Sequence, residues 1–287
     1  MTYWNTAVCE TNGINTHYTR TGGNKLPLIL LHGLMANGLC WTNLAHVLEK
    51  EYDVIMPDAR GHGNSSVPDF GYRYEDHAND VAGLINALKL PPPILFGHSM
   101  GGMTAAVVAS HKPNLLRGLV LAEPTFLSPK FQREVRDSDV ADQHRRTLNM
   151  SLDEVVADAR NRHPNRSAET LELFARARLQ TSMAAYVLTP LNPDYNMLVS
   201  AIDVPSLIVF GDKGVVSSVI AKELQHLNPR LPAEQIREAG HSVHLDQPER
   251  FAAVVGSFMR SIGTIIWLDK LVDELAKGKP MEKVLRS

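Results

Sequence analysis

Pro93-Ile94-Leu95-Phe96-Gly97-His98-Ser99-Met100-Gly101-Gly102 holds the key to the fold. Ile94–Phe96 is apolar at every position, the pattern of a strand covered on both faces. Met100–His111 after it reads as a helix, and Pro113 follows as a stop. Between strand and helix sits G-x-S-x-G, at Gly97–Gly101. By composition, such a pentapeptide turns up in roughly one chain in ten of this length. Its setting gives it weight. A strand–turn–helix with serine at the turn is a nucleophile elbow, which lifts the hydroxyl out at the strand's end. Small neighbours allow close main-chain approach, and the helix N-terminus favours negative charge beside the serine. The plain alternative is a serine N-cap on an ordinary helix.

Outward from this stretch the pattern repeats. Leu28–Leu31, Val54–Met56, Leu119–Ala122 and Leu207–Phe210 are short apolar runs, each closed by a turn or charged residue. Helical patterns lie between them at Leu39–Leu48, Asp76–Leu88, Ser217–Leu227 and Pro248–Met259. Alternating strands and helices predict an α/β fold: a mainly parallel twisted sheet with helices on both faces. Ala7–Thr21, with Asn12-Gly13 at its centre, reads as an N-terminal hairpin. From Pro124 to Val199 no buried-strand run occurs. Helical patterns at Asp139–Leu148, Leu152–Asn161 and Ala168–Tyr186 replace it. The expected organisation is therefore a core of residues 1–123 and 200–262, a helical lid at 124–199, and an amphipathic C-terminal helix or tail at 263–287. The tail is either packed on its own domain, a homodimer contact or a loose end.

Composition removes several function classes. The 287 residues carry a net charge of −2, with no long single-sign run, so neither nucleic acid nor an anionic membrane is an expected partner. Two cysteines, Cys9 and Cys40, make no disulfide scaffold and fit a reducing compartment. Met1–Asn12 lacks the pattern of a signal peptide, and no run of about 18 apolar residues occurs, so a cytoplasmic location without a membrane span is expected.

Gly240-His241 comes late in the chain, and nucleophile first with histidine last is a recognised order for serine catalysis on such a sheet. His241 is then the general base for Ser99. His244 is three residues on, but no acidic or thiol cluster accompanies the pair, so no metal or other cofactor is expected and His244 reads as packing. His32-Gly33-Leu34 ends an earlier strand, and the amides of Leu34 and Met100 are the candidate oxyanion hole. That placement brings Gly33 and His98 beside the substrate, and Trp41, Met103, Phe126 and Tyr186 are candidate apolar pocket residues. Asp58, Arg60 and His62 in Pro57–Ser65 read as loop supports or as groups behind the site.

Pro27–Gly33, Pro57–Ser65 (P-D-A-R-G-H-G-N-S), Gly97–Gly101 and Ala239–Pro248 (A-G-H-S-V-H-L-D-Q-P) together resemble the lid-bearing serine hydrolases of the α/β-hydrolase superfamily, over residues 7–260. The resemblance implies the fold and the Ser99–His241 pair, and leaves the substrate open. One position departs from it. Family members usually carry the catalytic acid after the seventh strand, in G-[DE]-x-D, and here the stretch is Gly211-Asp212-Lys213-Gly214. Either Asp212 substitutes from two residues earlier, or the acid has moved to Glu123 at the preceding core strand's end. The second placement resembles zearalenone-type lactonases and one branch of haloalkane dehalogenases. Glu123 is the favoured third member and Asp212 the alternative.

These residues predict a serine hydrolase that cleaves a small to medium, partly apolar carboxylic ester or lactone through an acyl-enzyme on Ser99. Carbon–carbon or amide hydrolysis by the same triad is the alternative within enzymes. A hydrolase-fold ligand receptor with slow turnover is the alternative outside them.

Overall fold

The computed structural model describes residues 4–187 and 189–277. The chain opens with β1 (Asn5–Thr11) and β2 (Ile14–Arg20), then β3 (Leu26–Leu31), α1 (Thr42–Leu48), β4 (Tyr52–Pro57) and α2 (Tyr74–Ala87). β5 (Ile94–His98), α3 (Met100–His111) and β6 (Gly118–Ala122) follow. Helices α4 (Pro129–Arg136), α5 (Val140–Thr147), α6 (Leu152–Arg162), α7 (Ala168–Leu179), α8 (Ala184–Val187) and α9 (Tyr195–Ala201) come before the next strand. The chain then runs through β7 (Ser206–Lys213), α10 (Ser218–Leu227), β8 (Ala233–Gly240), α11 (Val243–Asp246) and α12 (Pro248–Ala276).

The strands form one eight-stranded sheet in the order β1-β2-β4-β3-β5-β6-β7-β8. β3 to β8 run parallel, and β1 and β2 form the expected antiparallel hairpin. Its turn places Asn12 at φ 44° and Gly13 at φ 78°, the two left-handed residues that a tight hairpin turn requires. Pleating sorts the apolar runs cleanly. Ile29, Leu31, Leu95, Leu119 and Leu121 pack under α2, α3, α9 and α10. Leu28, Leu30, Ile94, Phe96, Val120 and Ala122 face α1 and α12 on the other side. Hence these strands are apolar without alternation.

β3 is followed by β4 on one side and β5 on the other, so strand order reverses beside β3. Such a reversal opens a crevice beyond the carboxyl ends of the strands, where ligands of α/β sheets bind. Ser99 follows β5 there, and Gly33 follows β3.

Several elements differ from the sequence expectations. β8 was not expected, because only Ile236 and Ala239 of Ala-Glu-Gln-Ile-Arg-Glu-Ala-Gly are buried at this sheet edge. Helix α4 was not anticipated either, and the Ala168–Tyr186 pattern is broken into α7 and α8. α9 packs on α3 and buries its Leu198 and Val199 in the same core as Met103 and Val107, so it belongs to the layer against the sheet. Asn228 fastens it there, donating to the Val199 and Ile202 carbonyls at 2.9 and 2.8 Å. Finally, α12 does not stop near Met259 but runs unbroken through Thr264 to Ala276. Gly263 alone is too weak a breaker, at about 1 kcal/mol. Its 22-residue Pro248–Asp269 portion, with mean hydropathy 1.6, is long and apolar enough to cross a membrane by those criteria. Phe251, Val255, Met259 and Ile262 nevertheless bury one face of it against the sheet. Residues 278–287 of the expected tail lie outside the described residues.

Candidate active site

Ser99 stands at φ 56° and ψ −119°. An L-residue pays for this conformation and keeps it only where its surroundings hold it. Here a Cβ on Gly97 would overlap the Gly101 carbonyl, and one on Gly101 would overlap the carbonyls of Leu31 and His32. Glycine at both positions lets β5, α3 and the end of β3 close around the turn. The Ser99 amide donates to the Ala122 carbonyl at 3.1 Å, and the Ser99 carbonyl accepts from the Met103 amide at 3.0 Å.

His241 follows β8, with Nε2 at 2.9 Å from Ser99 Oγ. Its Nδ1 lies 3.3 Å from Glu123 Oε2. The consistent proton placement has the hydroxyl donating to Nε2 and Nδ1–H donating to the carboxylate. Glu123 sits directly after β6 at φ 46° and is 0% exposed. Its carboxylate accepts from the amides of Gly211 at 2.8 Å, Val215 at 2.6 Å and Val216 at 3.4 Å. Backbone donors from the end of β7 and the loop after it thus offset the cost of burying a charge.

Asp212 turns the other way. It is exposed, and its Oδ1 accepts from the Ala239 amide at 3.0 Å. Hydrogen bonds from the Glu238 and Ala239 backbone hold its carboxyl below the usual range. Gly214, at the family's usual acid position, has no room for a side chain, because a Cβ there would overlap the Glu123 carboxylate.

His98, next to Ser99, donates from Nε2 to the His241 carbonyl at 2.8 Å and so fixes the loop that carries His241. Burial, with His241 nearby, pushes His98 down to about 3, so the ring is neutral at physiological pH. The His244 ring fills the space behind it, 4.7 Å from His98 and 4.6 Å from Trp41. His32 holds the Gly33–Leu34 loop by donating from Nδ1 to the Gly33 carbonyl at 2.8 Å and accepting the Ala59 amide on Nε2 at 2.9 Å. Its burial lowers its pKa, in keeping with that neutral tautomer. Leu34 and Met100 both line the cavity beside Ser99. The Met100 amide opens α3, where helix N–H groups have no intrahelical partner.

Two chambers meet at Leu34, Met35, Ser99 and His241. One, of about 390 Å³, is mainly apolar, with Tyr74, Leu127, Val135, Tyr186 and Leu191 in its wall. The other, of about 190 Å³, lies under α6 and α7 and takes in Arg162, His163, Arg166 and Arg178. Gly33 and His98 line the second chamber, and Tyr186 lines the first.

Trp41, Phe126 and Met103 do not line either chamber. Trp41 is packed on Phe96 at 5.1 Å, Phe126 is stacked on Tyr195 at 5.2 Å, and all three are core residues. Composition cannot separate a buried aromatic in the core from one at a cavity wall. Asp58, Arg60 and His62 hold their loop. Asp58 accepts the Gly38 and Asn64 amides at 2.7 and 2.9 Å. Arg60 makes a buried fork with Asp80 at 2.7 and 2.6 Å, and His62 donates to the Arg60 carbonyl. The basic chamber was missed. Arg176 and Arg178 sit two residues apart on α7, hence on opposite helix faces, and residue type does not say which points inward.

A mainly parallel sheet that gathers serine, histidine and a buried carboxylate at its strand ends defines an α/β protein of hydrolytic type. Residues 27–248 match the alpha/beta hydrolase fold family, and the chain belongs to it. A second match, to an uncharacterized protein conserved in bacteria, spans residues 250–286. The chain is similar to 2-(acetamidomethylene)succinate hydrolase of Mesorhizobium japonicum, 29% identical over 84% of this chain and 90% of that one. It is 31% identical to N-formylmaleamate deformylase of Pseudomonas putida, over 86% of this chain and 94% of that protein. A crystal structure of E-2-(acetamidomethylene)succinate hydrolase superposes with TM-score 0.80 at 26% identity, covering 90% of this chain and 100% of that one.

Proposed function

We propose that the protein hydrolyses a carboxylic ester or lactone through an acyl-enzyme on Ser99. The observation that carries this reading is the hydrogen-bonded series Ser99 Oγ, His241 Nε2, His241 Nδ1 and Glu123 Oε2, at 2.9 and 3.3 Å. Ser99 Oγ attacks the carbonyl carbon while His241 Nε2 takes the hydroxyl proton. The oxyanion forms beside α3, where the Leu34 and Met100 amides donate to it. Collapse breaks the bond to the leaving group, which takes the proton from His241. A water then gives its proton to His241 and its oxygen to the acyl carbon, releasing the acid and restoring Ser99. Glu123 stays ionised throughout and keeps Nδ1 protonated.

Helices α5 to α8 serve as the lid in this reading. Three hydrogen bonds support a fixed resting position over the sheet. Asn37 Nδ2 donates to Gln180 Oε1 at 2.9 Å, Asn43 Nδ2 to Thr170 Oγ1 at 3.1 Å, and the Ser182 amide to the Gly61 carbonyl at 2.8 Å.

Amide hydrolysis is the second reading. The two relatives favour it, since both are named for substrates with an acyl–nitrogen bond. The same attack serves both bonds, so assays with p-nitrophenyl acetate and p-nitroacetanilide separate them. Ser99→Ala is expected to abolish whichever activity is present, and a fluorophosphonate to label Ser99. Retained activity in that variant, or labelling elsewhere, contradicts the acyl-enzyme.

A further inference from the structure

The chamber under α6 and α7 has a charge imbalance that folding does not need. Arg162, His163, Arg166 and Arg178 reach it, and no acidic side chain lines it among the described residues. Two of the arginines are already engaged: Arg162 with Asp158 at 2.6 Å, and Arg166 with Asp246 at 3.1 Å. Arg178 is different. Its Nε is buried without a hydrogen-bond partner, and no ion pair reaches its guanidinium among the described residues. A half-buried cation with unused donors is costly unless an anion arrives to meet it. Burial, then Arg162, lower its pKa, and the more distant Asp158 charge offsets this only in part.

A second orphan donor lies close by. The Tyr186 hydroxyl is buried without a partner, and Tyr186 is near enough to Arg178 to feel its charge. Tyr186 lines the neighbouring chamber, and Ser99 lines both chambers. One free guanidinium and one neutral hydroxyl supply a single positive charge and a planar fork, which match a monoanionic carboxylate. We infer that the substrate carries a second, free carboxylate on the acyl chain a few bonds from its scissile carbonyl, and that Arg178, with the Tyr186 hydroxyl, receives it. The apolar chamber takes the uncharged arm. This inference rests on the reading of Ser99 as the nucleophile.

Binding to the Ser99→Ala protein tests it without turnover. Monomethyl glutarate and dimethyl glutarate share a carbon chain and differ in one carboxylate. The monoester is expected to bind at least about tenfold tighter, the range of a charge-assisted hydrogen bond. Adding Arg178→Met should reduce that preference to within about twofold, and Arg178→Lys should keep part of it. Arg176→Met, which removes an exposed arginine paired with Glu172, should leave it intact. Circular dichroism checks that each variant is folded. Equal binding of the two esters, no binding of either, or a preference that survives Arg178→Met overturns the inference. So does tighter binding of the matching phosphonate monoester. Turnover of p-nitrophenyl acetate by the unaltered protein reports on Ser99 separately, so the two failures are distinguishable.

Discussion

The ends of β6 and β7 lie side by side, each with a carboxylate, and the two groups face opposite ways. Glu123 after β6 is wholly buried, held by three amides of β7 and the loop after it, and in reach of His241 Nδ1. Asp212 at the end of β7 is exposed and spends its oxygen on the Ala239 amide of β8. The stretch that holds position 214 is instead a cradle for the Glu123 carboxylate arriving from next door. Glycine at 214 is the space that the Glu123 carboxylate fills. What a histidine requires of its acid is direction and an ionised oxygen, and a neighbouring strand can supply both.

The largest effect should come from Glu123→Gln, which keeps shape but removes the charge. Turnover of an ester substrate should fall at least about a hundredfold, with smaller change in KM, as the imidazole loses its tautomer and its counter-charge. Gly214→Ala comes next. The added methyl must displace the Glu123 carboxylate, so turnover should drop by about tenfold or more and stability by about 1–3 kcal/mol. Urea unfolding beside steady-state kinetics checks both.

The third effect is on pH. Burial depresses His98 and His77 to about 3, against 6.5 for the free side chain. Between those values the unfolded chain binds protons that the folded chain refuses, so stability is full above 6.5 and falls as pH drops toward 3. From pH 7 to pH 5 the loss should be about 2 kcal/mol for each fully buried histidine. Denaturant titrations at the two pH values measure it, and a flat profile would show that these rings take up protons inside the fold. The smallest effect belongs to Asp212→Asn. Less than about tenfold in turnover should be lost, because its carboxylate serves only the β7–β8 backbone.

Much of this contrast was legible in the sequence. Buried parallel strands announce themselves by unbroken apolar runs, and the elbow by a serine between small residues where strand meets helix. The gap at Gly214 and the carboxylate at Glu123 could be read together, since both are matters of residue type at a strand end. The edge strand β8 could not be read, because an edge with two buried side chains has no apolar run to show. Trp41 and Phe126 stayed ambiguous, and Arg178 carried no signal, for a related reason. Burial in the core, exposure to a cavity and direction along a helix face are set by the partner surface, and no local pattern encodes it.

The central claim is that Glu123, not Asp212, holds the His241 Nδ1 proton. Proton NMR of the downfield imidazole N–H region, with the His241 resonance identified by its loss in His241→Ala, observes that bond directly. The arrangement predicts the resonance in the unaltered protein and in Asp212→Asn, and its loss or large upfield shift in Glu123→Gln. A resonance that persists in Glu123→Gln and disappears in Asp212→Asn would contradict it.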